Sequence, residues 1–264
     1  MGLERASGVP EDASSLRWGH CQKRQGASED QKFAAKPTQL KTDSSGYFGI
    51  TMISPSSNSS LLTRFELVVA STNFNKVREF RSILKPFIHF DILSLCDFPN
   101  YTPPDETGKS FEENAILKAV HAAENLNRWV VADDSGLVVP ALNGEPGVLS
   151  ARYAGNDASD LDNRKKLLDG MQHLMEDDRQ AFFECTIALA SPSGLKKCVK
   201  GTCEGVILTK ERGRSGFGYD SLFVKHGYSK SFAELEESIK NRISHRRKAL
   251  DKILPSLDSI MSAS

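Results

Sequence analysis

The 264-residue chain carries no excess charge: 34 Lys and Arg stand against 34 Asp and Glu. It therefore lacks the basic footprint of a dedicated nucleic-acid binder, and any anionic partner must be held by a local site. Cys21, Cys96, Cys185, Cys198 and Cys203 include no Cys-x-x-Cys spacing, which argues against a thiolate metal site, and an odd number cannot all pair within the chain. No apolar run is long enough to span a bilayer and no signal-peptide pattern is seen. A reducing, cytoplasmic setting without membrane contact is therefore expected. Internal repeats are absent, as is the Gly-x-x-x-x-Gly-Lys-[Ser/Thr] spacing of a Walker loop. What is present is a globular composition, 39% hydrophobic and 26% charged, which suffices for a packed core.

Residues 1–63 are rich in Ser, Gln, Lys and Gly and show no sustained apolar periodicity. They cannot bury enough apolar area to offset ordering, so a disordered N-terminal extension is expected. Interspersed acids such as Glu4, Glu11 and Asp12 argue against an organellar transit peptide, and Met52 is a candidate start. Over 64–264 a single domain is expected. The pattern predicts a strand at Phe65–Ala70, a helix from Asn75 to Leu84 and a strand from Ile88 to Leu93. A capping box at Ser110-Phe111-Glu112-Glu113 opens a long helix, and Trp129–Ala132 reads as a buried strand. Farther on come a helix over Leu161–Met171 and two long strands, Phe182–Ala190 and Lys197–Leu208, joined by Ser191-Pro192-Ser193-Gly194. A last helix runs from Ser244 to about Ile253, where Pro255 is expected to end or interrupt it. Early βαβ character followed by a hairpin predicts a mixed-sheet α/β or α+β domain.

Chemistry concentrates in five segments. Ala132-Asp133-Asp134-Ser135-Gly136 follows an apolar strand and reads as a turn at its end. Two carboxylates there suit a hard cation, although Asp-Ser-Gly is also ordinary turn chemistry and adjacent strand residues point to opposite faces. Ser71-Thr72-Asn73-Phe74-Asn75-Lys76 joins the first strand to the first helix, which makes it either a phosphate site with Lys76 as counter-charge or a simple helix cap. Glu106, in the loop Asp105–Ser110, could complete a metal site with Asp134 or be a solvated acid. The glycines of Gly213–Asp220 bracket aromatic rings, as a base-stacking platform or an ordinary glycine loop would. Lys240–Lys248 is a basic run, usually a solvated helix face or a nucleic-acid patch; at the start of the final helix cations oppose the macrodipole, and a bound anion or an acceptor would help explain them.

Taken in order, these segments make the chain resemble the Ham1-like inosine triphosphate pyrophosphatases, also called non-canonical purine NTP pyrophosphatases. The resemblance runs from about Phe65 to Leu254. It rests on Ser71-Thr72-Asn73-x-x-Lys76, Glu106-Thr107-Gly108, Phe111-x-x-Asn114-Ala115-x-x-Lys118-Ala119 and Ala132–Leu137. Pro146–Gly155, Gly216–Asp220 and Ser244-His245-Arg246 complete it. Two positions depart from the common pattern: Ser71-Thr72 where Thr-Gly is frequent, and Ser221 where proline is common. The resemblance implies an elongated, strongly twisted mixed β-sheet flanked by helices, with two lobes and the active cleft between them. It also implies magnesium-dependent cleavage of ITP, dITP or XTP to the monophosphate and pyrophosphate, and a homodimer. Asp134 would be general base and metal ligand, and Glu106 the second metal ligand. Ser71, Thr72, Asn73, Phe74, Asn75 and Lys76 would cradle the triphosphate, and Ser135 would touch the substrate. Phe217, Gly218, Tyr219 and Asp220 would frame the base, with Lys240, His245 and Arg246 contacting the nucleotide. A broader NTP pyrophosphatase and a non-catalytic nucleotide- or RNA-binding protein are the rival readings.

Overall fold

The computed structural model describes residues 65–87 and 90–263; the expected extension over 1–63 and the start of the second predicted strand lie outside the described residues. The elements run β1 (Phe65–Val69), α1 (Phe74–Leu84), β2 (Phe90–Ser94), α2 (Phe111–Leu126), β3 (Trp129–Val138), α3 (Asp160–Gly170), β4 (Gln180–Ser191), β5 (Gly194–Ile207), β6 (Phe223–Lys225), α4 (Glu237–Ile243) and α5 (His245–Ala263). They build one six-stranded sheet in the order β2-β1-β3-β4-β5-β6. The first three strands are parallel and the remaining pairs antiparallel, as expected of a mixed α/β fold.

Alternation along the strands divides the core by sheet face. Leu67, Val69, Val131, Ile187 and Leu189 pack with Phe80 and Ile83 of α1 and with Leu250, Ile253 and Leu257 of α5. Their neighbours Val68, Ala70, Val130, Ala132, Ala188 and Ala190 meet a ridge of alanines on α2, namely Ala115, Ala119, Ala122 and Ala123. Small side chains on both partners let that helix lie close to the sheet. A third cluster fills the other end of β3, β4 and β5, where Leu137, Phe183, Cys203 and Ile207 pack with Leu167, Phe223 and Phe232.

Two sequence expectations are corrected. The acidic run is not a turn: β3 continues through it to Val138, in register with β4, where Asp133 faces Ile187 and Asp134 faces Thr186. Gly136 serves close packing there, since a Cβ would collide with Ser150 Oγ and lie 2.6 Å from the Gly147 carbonyl. Nor does Pro255 end the last helix. α5 runs through it to Ala263, because Leu254, Leu257, Ile260 and Met261 pack on the core beneath α1 and outweigh the lost hydrogen bond. β6 and α4 were not anticipated; a three-residue strand and a seven-residue helix are too short for a periodic signal.

The topology also places a crevice. β1 pairs with β3 only over Trp129–Val131, then leaves the sheet for α1, while β2 lies on its other side. The chain thus departs in opposite directions from neighbouring parallel strands, the position at which open α/β sheets bind ligands.

Candidate active site

A cleft of about 320 Å³ opens at this switch point. It is lined by the β1–α1 loop, the middle of β3, Glu106 and Lys118, and on the far side by Phe183, Phe217–Asp220, Lys240, His245 and Arg246. β3 crosses it with alternating side chains, so the two adjacent aspartates serve different faces.

Asp134, on the α2 face, accepts from Asn114 Nδ2 at 3.1 Å and from Lys118 Nζ at 3.2 Å. Lys118 also donates to Glu106 Oε1 at 2.9 Å, and Arg152 lies 3.6 Å from the other Glu106 oxygen. One ammonium therefore binds both carboxylates proposed as metal ligands. Burial is the largest influence on Asp134 and, with Glu106 nearby, raises its carboxyl above the ordinary value against the pull of Lys118 and Lys76. For Glu106 the balance reverses: burial pushes up, but Lys118, Lys76 and Arg152 hold it below the usual range. Lys118 and Arg152 received no separate role from the sequence, although Lys118 lies four residues after Asn114 on α2, a spacing that shares a helix face.

Asp133 points to the α1 and α5 face and is 1% exposed. It accepts from Arg246 Nη2 at 2.8 Å and from Ser135 Oγ at 3.0 Å, with Lys76 Nζ at 3.3 Å. Burial would raise its carboxyl; Lys76, Arg246 and Lys118 overcome it and hold the group far below the ordinary carboxylate value. Asp133 orders the site and does not line the cleft. Arg246 extends the network to Glu79 on α1, which also accepts from Lys240 at 2.8 Å, and Lys240 reaches Asp220 at 2.6 Å. Within the basic run, Lys240 and Arg246 thus find their acceptors in buried carboxylates of the protein itself, while Arg247 pairs with the exposed Asp251. Glu79 was not singled out in the sequence, because its partners lie more than 160 positions away.

The β1–α1 junction combines both of its sequence readings. Asn73 caps α1, accepting from Asn75 N–H at 3.0 Å and Lys76 N–H at 3.2 Å. Ser71, Thr72, Asn73 and Lys76 line the cleft; Ser71 Oγ accepts the Asn73 N–H at 3.2 Å and Lys76 pairs with Asp133, so their O–H and remaining N–H groups, with the Thr72 hydroxyl, are what an anion would meet. Phe74 and Asn75 do not line it, and Phe74 is 71% exposed. At the opposite end, Phe217 sits beside the Lys240 ammonium, 4.7 Å from its ring centroid, and Tyr219 donates to the Ser150 carbonyl at 2.9 Å. His245 stacks on Phe183 with centroids 4.8 Å apart and planes 14° from parallel. Burial, then Arg246 and Lys240, keep its imidazole neutral, and its Nδ1 has no hydrogen-bond partner among the described residues.

No group of three or more His, Cys, Asp or Glu side chains among the described residues could form an all-protein metal cage. Glu106 and Asp134 nonetheless fit a hard divalent cation, since both offer carboxylate oxygens and converge on one positive charge. Two carboxylates leave coordination positions for water and phosphate, the habit of magnesium sites.

The sequence profile of the Ham1 family matches residues 67–256. The dITP/XTP pyrophosphatase of Protochlamydia amoebophila strain UWE25 is 58% identical over 196 residues, covering 74% of this chain and 98% of the relative. That of Chlamydia abortus strain DSM 27085 / S26/3 is 55% identical over 197 residues, covering 74% and 96%. Among solved structures, the Staphylococcus aureus Ham1 protein is 42% identical with a TM-score of 0.65, covering 74% of this chain and 98% of that one. A HAM1 protein from Coxiella burnetii is 38% identical with a TM-score of 0.67, covering 74% and 99%. These matches span the strands and helices that build the cleft, and the chain belongs to the Ham1 family.

Proposed function

We propose that this chain hydrolyses non-canonical purine nucleoside triphosphates, namely ITP, dITP and XTP, between the α and β phosphates. The products are the monophosphate and pyrophosphate. The observation that carries the reading is Asp134 and Glu106 sharing Lys118, with Lys76 beside them, at the mouth of the β1–α1 junction. Relatives bearing the name dITP/XTP pyrophosphatase support it.

Hydrolysis of a phosphoanhydride is chiefly a matter of positioning and charge neutralisation. Lys76 and Lys118 supply two ammonium groups to the triphosphate, and Ser71 and Thr72 offer hydroxyls. Asp134 acts as the general base: burial raises its proton affinity, and Asn114 and Lys118 fix its orientation. Magnesium, held by Glu106 and Asp134, would neutralise phosphate charge and lower the pKa of bound water. Ser135 lies against the substrate, with its hydroxyl held by Asp133 and Arg246.

At the other end, Phe217–Asp220 frame the base. A neutral His245 with a free Nδ1, beside Arg246 and Lys240, offers polar groups suited to the 6-oxo position of hypoxanthine or xanthine. Adenine carries an amine there and would leave a protonated His245 Nδ1 without its acceptor, which disfavours adenine. The biological role is removal of deaminated purines from the nucleotide pool, by a cytoplasmic homodimer. No helix among the described residues is long and apolar enough to cross a membrane.

The test is product analysis with ITP, XTP, dITP, ATP, GTP and CTP, with and without magnesium. The expected result is magnesium-dependent IMP and pyrophosphate from ITP with little ATP or GTP turnover. IDP and orthophosphate would refute the site of cleavage, and equal turnover of all six would establish the broader pyrophosphatase instead. Sedimentation equilibrium checks the dimer, which a monomer mass at micromolar concentration would exclude.

A further inference from the structure

The segment bearing Phe217 and Tyr219 has mainly local main-chain support, such as Asp220 N–H to the Phe217 carbonyl at 3.2 Å and Leu222 N–H to the Tyr219 carbonyl at 3.0 Å. At its centre Gly218 has a φ of 58°, with nothing within 4 Å of where a Cβ would be. A glycine so unconfined does not by itself fix the peptide planes on either side. Both polar groups of Gly218 are instead taken by α3. Asp160 Oδ2 accepts the Gly218 N–H at 2.7 Å, and Arg164 Nη1 donates to the Gly218 carbonyl at 2.9 Å.

Asp160 and Arg164 are four residues apart and share a helix face. The first turn of α3 is in turn anchored by Ser159, whose N–H and hydroxyl both donate to Asp162 Oδ2, at 3.0 and 2.6 Å. A second nitrogen of Arg164, Nε, lies 3.0 Å from Glu211, which accepts from Ser221 Oγ at 2.9 Å. The guanidinium thus holds the middle of Phe217–Asp220 directly and, through Glu211, the residue that follows it. Asp160 lines the base end of the cleft, but none of these contacts reaches Lys76, Lys118, Glu106 or Asp134.

We propose that Asp160 and Arg164 are positioning residues that set base selectivity, by fixing the two peptide planes around Gly218 and with them the ring of Phe217, whereas the Tyr219 ring is held in the core and by the Ser150 carbonyl. This rests on the assignment of Phe217–Asp220 to the base end of the cleft. Lys240 is itself held by Glu79 and Asp220; Asp220 also accepts the Phe217 N–H at 2.9 Å, so cutting the strap leaves the Phe217 main chain that tether and its ring as the partner that shifts. Ring displacement alters the fit of the base while the phosphate end keeps its geometry.

The test uses the full chain with Asp160→Ala, Asp160→Asn and Arg164→Ala. Amide hydrogen exchange over 213–222 is measured without nucleotide, and kcat and KM are measured for ITP and GTP, with inhibition by pyrophosphate as the readout of the phosphate end. Asp160→Ala and Arg164→Ala should speed exchange of that segment, raise the KM for ITP about tenfold and narrow the ITP:GTP ratio of kcat/KM about fivefold or more, as a misplacement near 1 Å would do. Their kcat and pyrophosphate inhibition should stay close to wild type, and Asp160→Asn, which keeps an acceptor oxygen, should restore most of the selectivity. Unchanged exchange overturns the strap itself. Faster exchange with an unchanged ITP:GTP ratio, or equal losses for both nucleotides, overturns the selectivity role. A wild-type protein without preference for ITP removes the underlying assignment and this proposal with it, whatever the exchange result.

Discussion

At the residue scale, Asp133 and Asp134 are adjacent, almost equally buried and shifted in opposite directions. The difference lies in their partners: Arg246, Lys76 and Ser135 all converge on Oδ2 of Asp133, whereas Asp134 shares one lysine with a second carboxylate. Replacing Asp134 by Asn should leave the fold intact and reduce kcat by roughly two to four orders of magnitude, the usual scale for a general base. Steady-state rates beside a circular dichroism melt check this, and near-wild-type turnover would remove the base assignment. Lys76→Met should raise the KM for ITP about tenfold or more, since it removes one of the two ammonium groups beside the triphosphate. A KM unmoved in that variant would leave Lys76 as a partner of Asp133 alone.

At the scale of elements, the strands and helices that make the parallel half were legible because each has a full period of apolar residues. The site was legible in its side chains more than in its geometry. Asp-Asp-Ser-Gly reads as a turn by composition, and only the nine-residue register with β4 reveals it as strand. Glu79 and Lys118 escaped assignment because a buried charge looks like a solvated one until its distant partner is known. The end of α5 was misjudged because local propensity at Pro255 is overruled by packing. Leu257→Ala therefore should cost about 2–5 kcal/mol despite lying beyond the proline, as for other fully buried leucines. Urea denaturation decides this, and a loss below about 0.5 kcal/mol, the range of surface substitutions, would mean that the last turns carry no load.

For the whole molecule, the buried titrating groups predict how stability follows pH. His245 is neutral when folded, with its proton affinity held well below the ordinary 6.5 that it regains on unfolding. The unfolded chain then binds the extra proton, so this contribution is lost as pH falls below about 6.5 and amounts to about 1 kcal/mol by pH 5.5. Glu79 and Asp133, whose folded values lie below 4.5 and 3.8, stabilise above those values and lose that contribution only in stronger acid. Asp134 and Asp220 run the other way, since their raised values make acid uptake favour the fold. Urea midpoints at pH 7 and 5.5 should fall for wild type and move less for His245→Asn; equal slopes would show that the imidazole is already charged in the native state.

The guanidinium that joins Asp133 to Glu79 comes from α5, the last of the described elements in the chain. Vectorial synthesis therefore delivers all six strands before the guanidinium that joins β3 to α1. A nascent chain halted after α4 holds Lys76 for Asp133 and Lys240 for Glu79 but lacks the shared cation that ties the two carboxylates together, which weakens their burial. The emerging protein should consequently remain open, and sensitive to protease, until residue 246 has cleared the exit tunnel. Completion of the charge network on β3 is thus timed by translation of the final helix rather than by completion of the sheet.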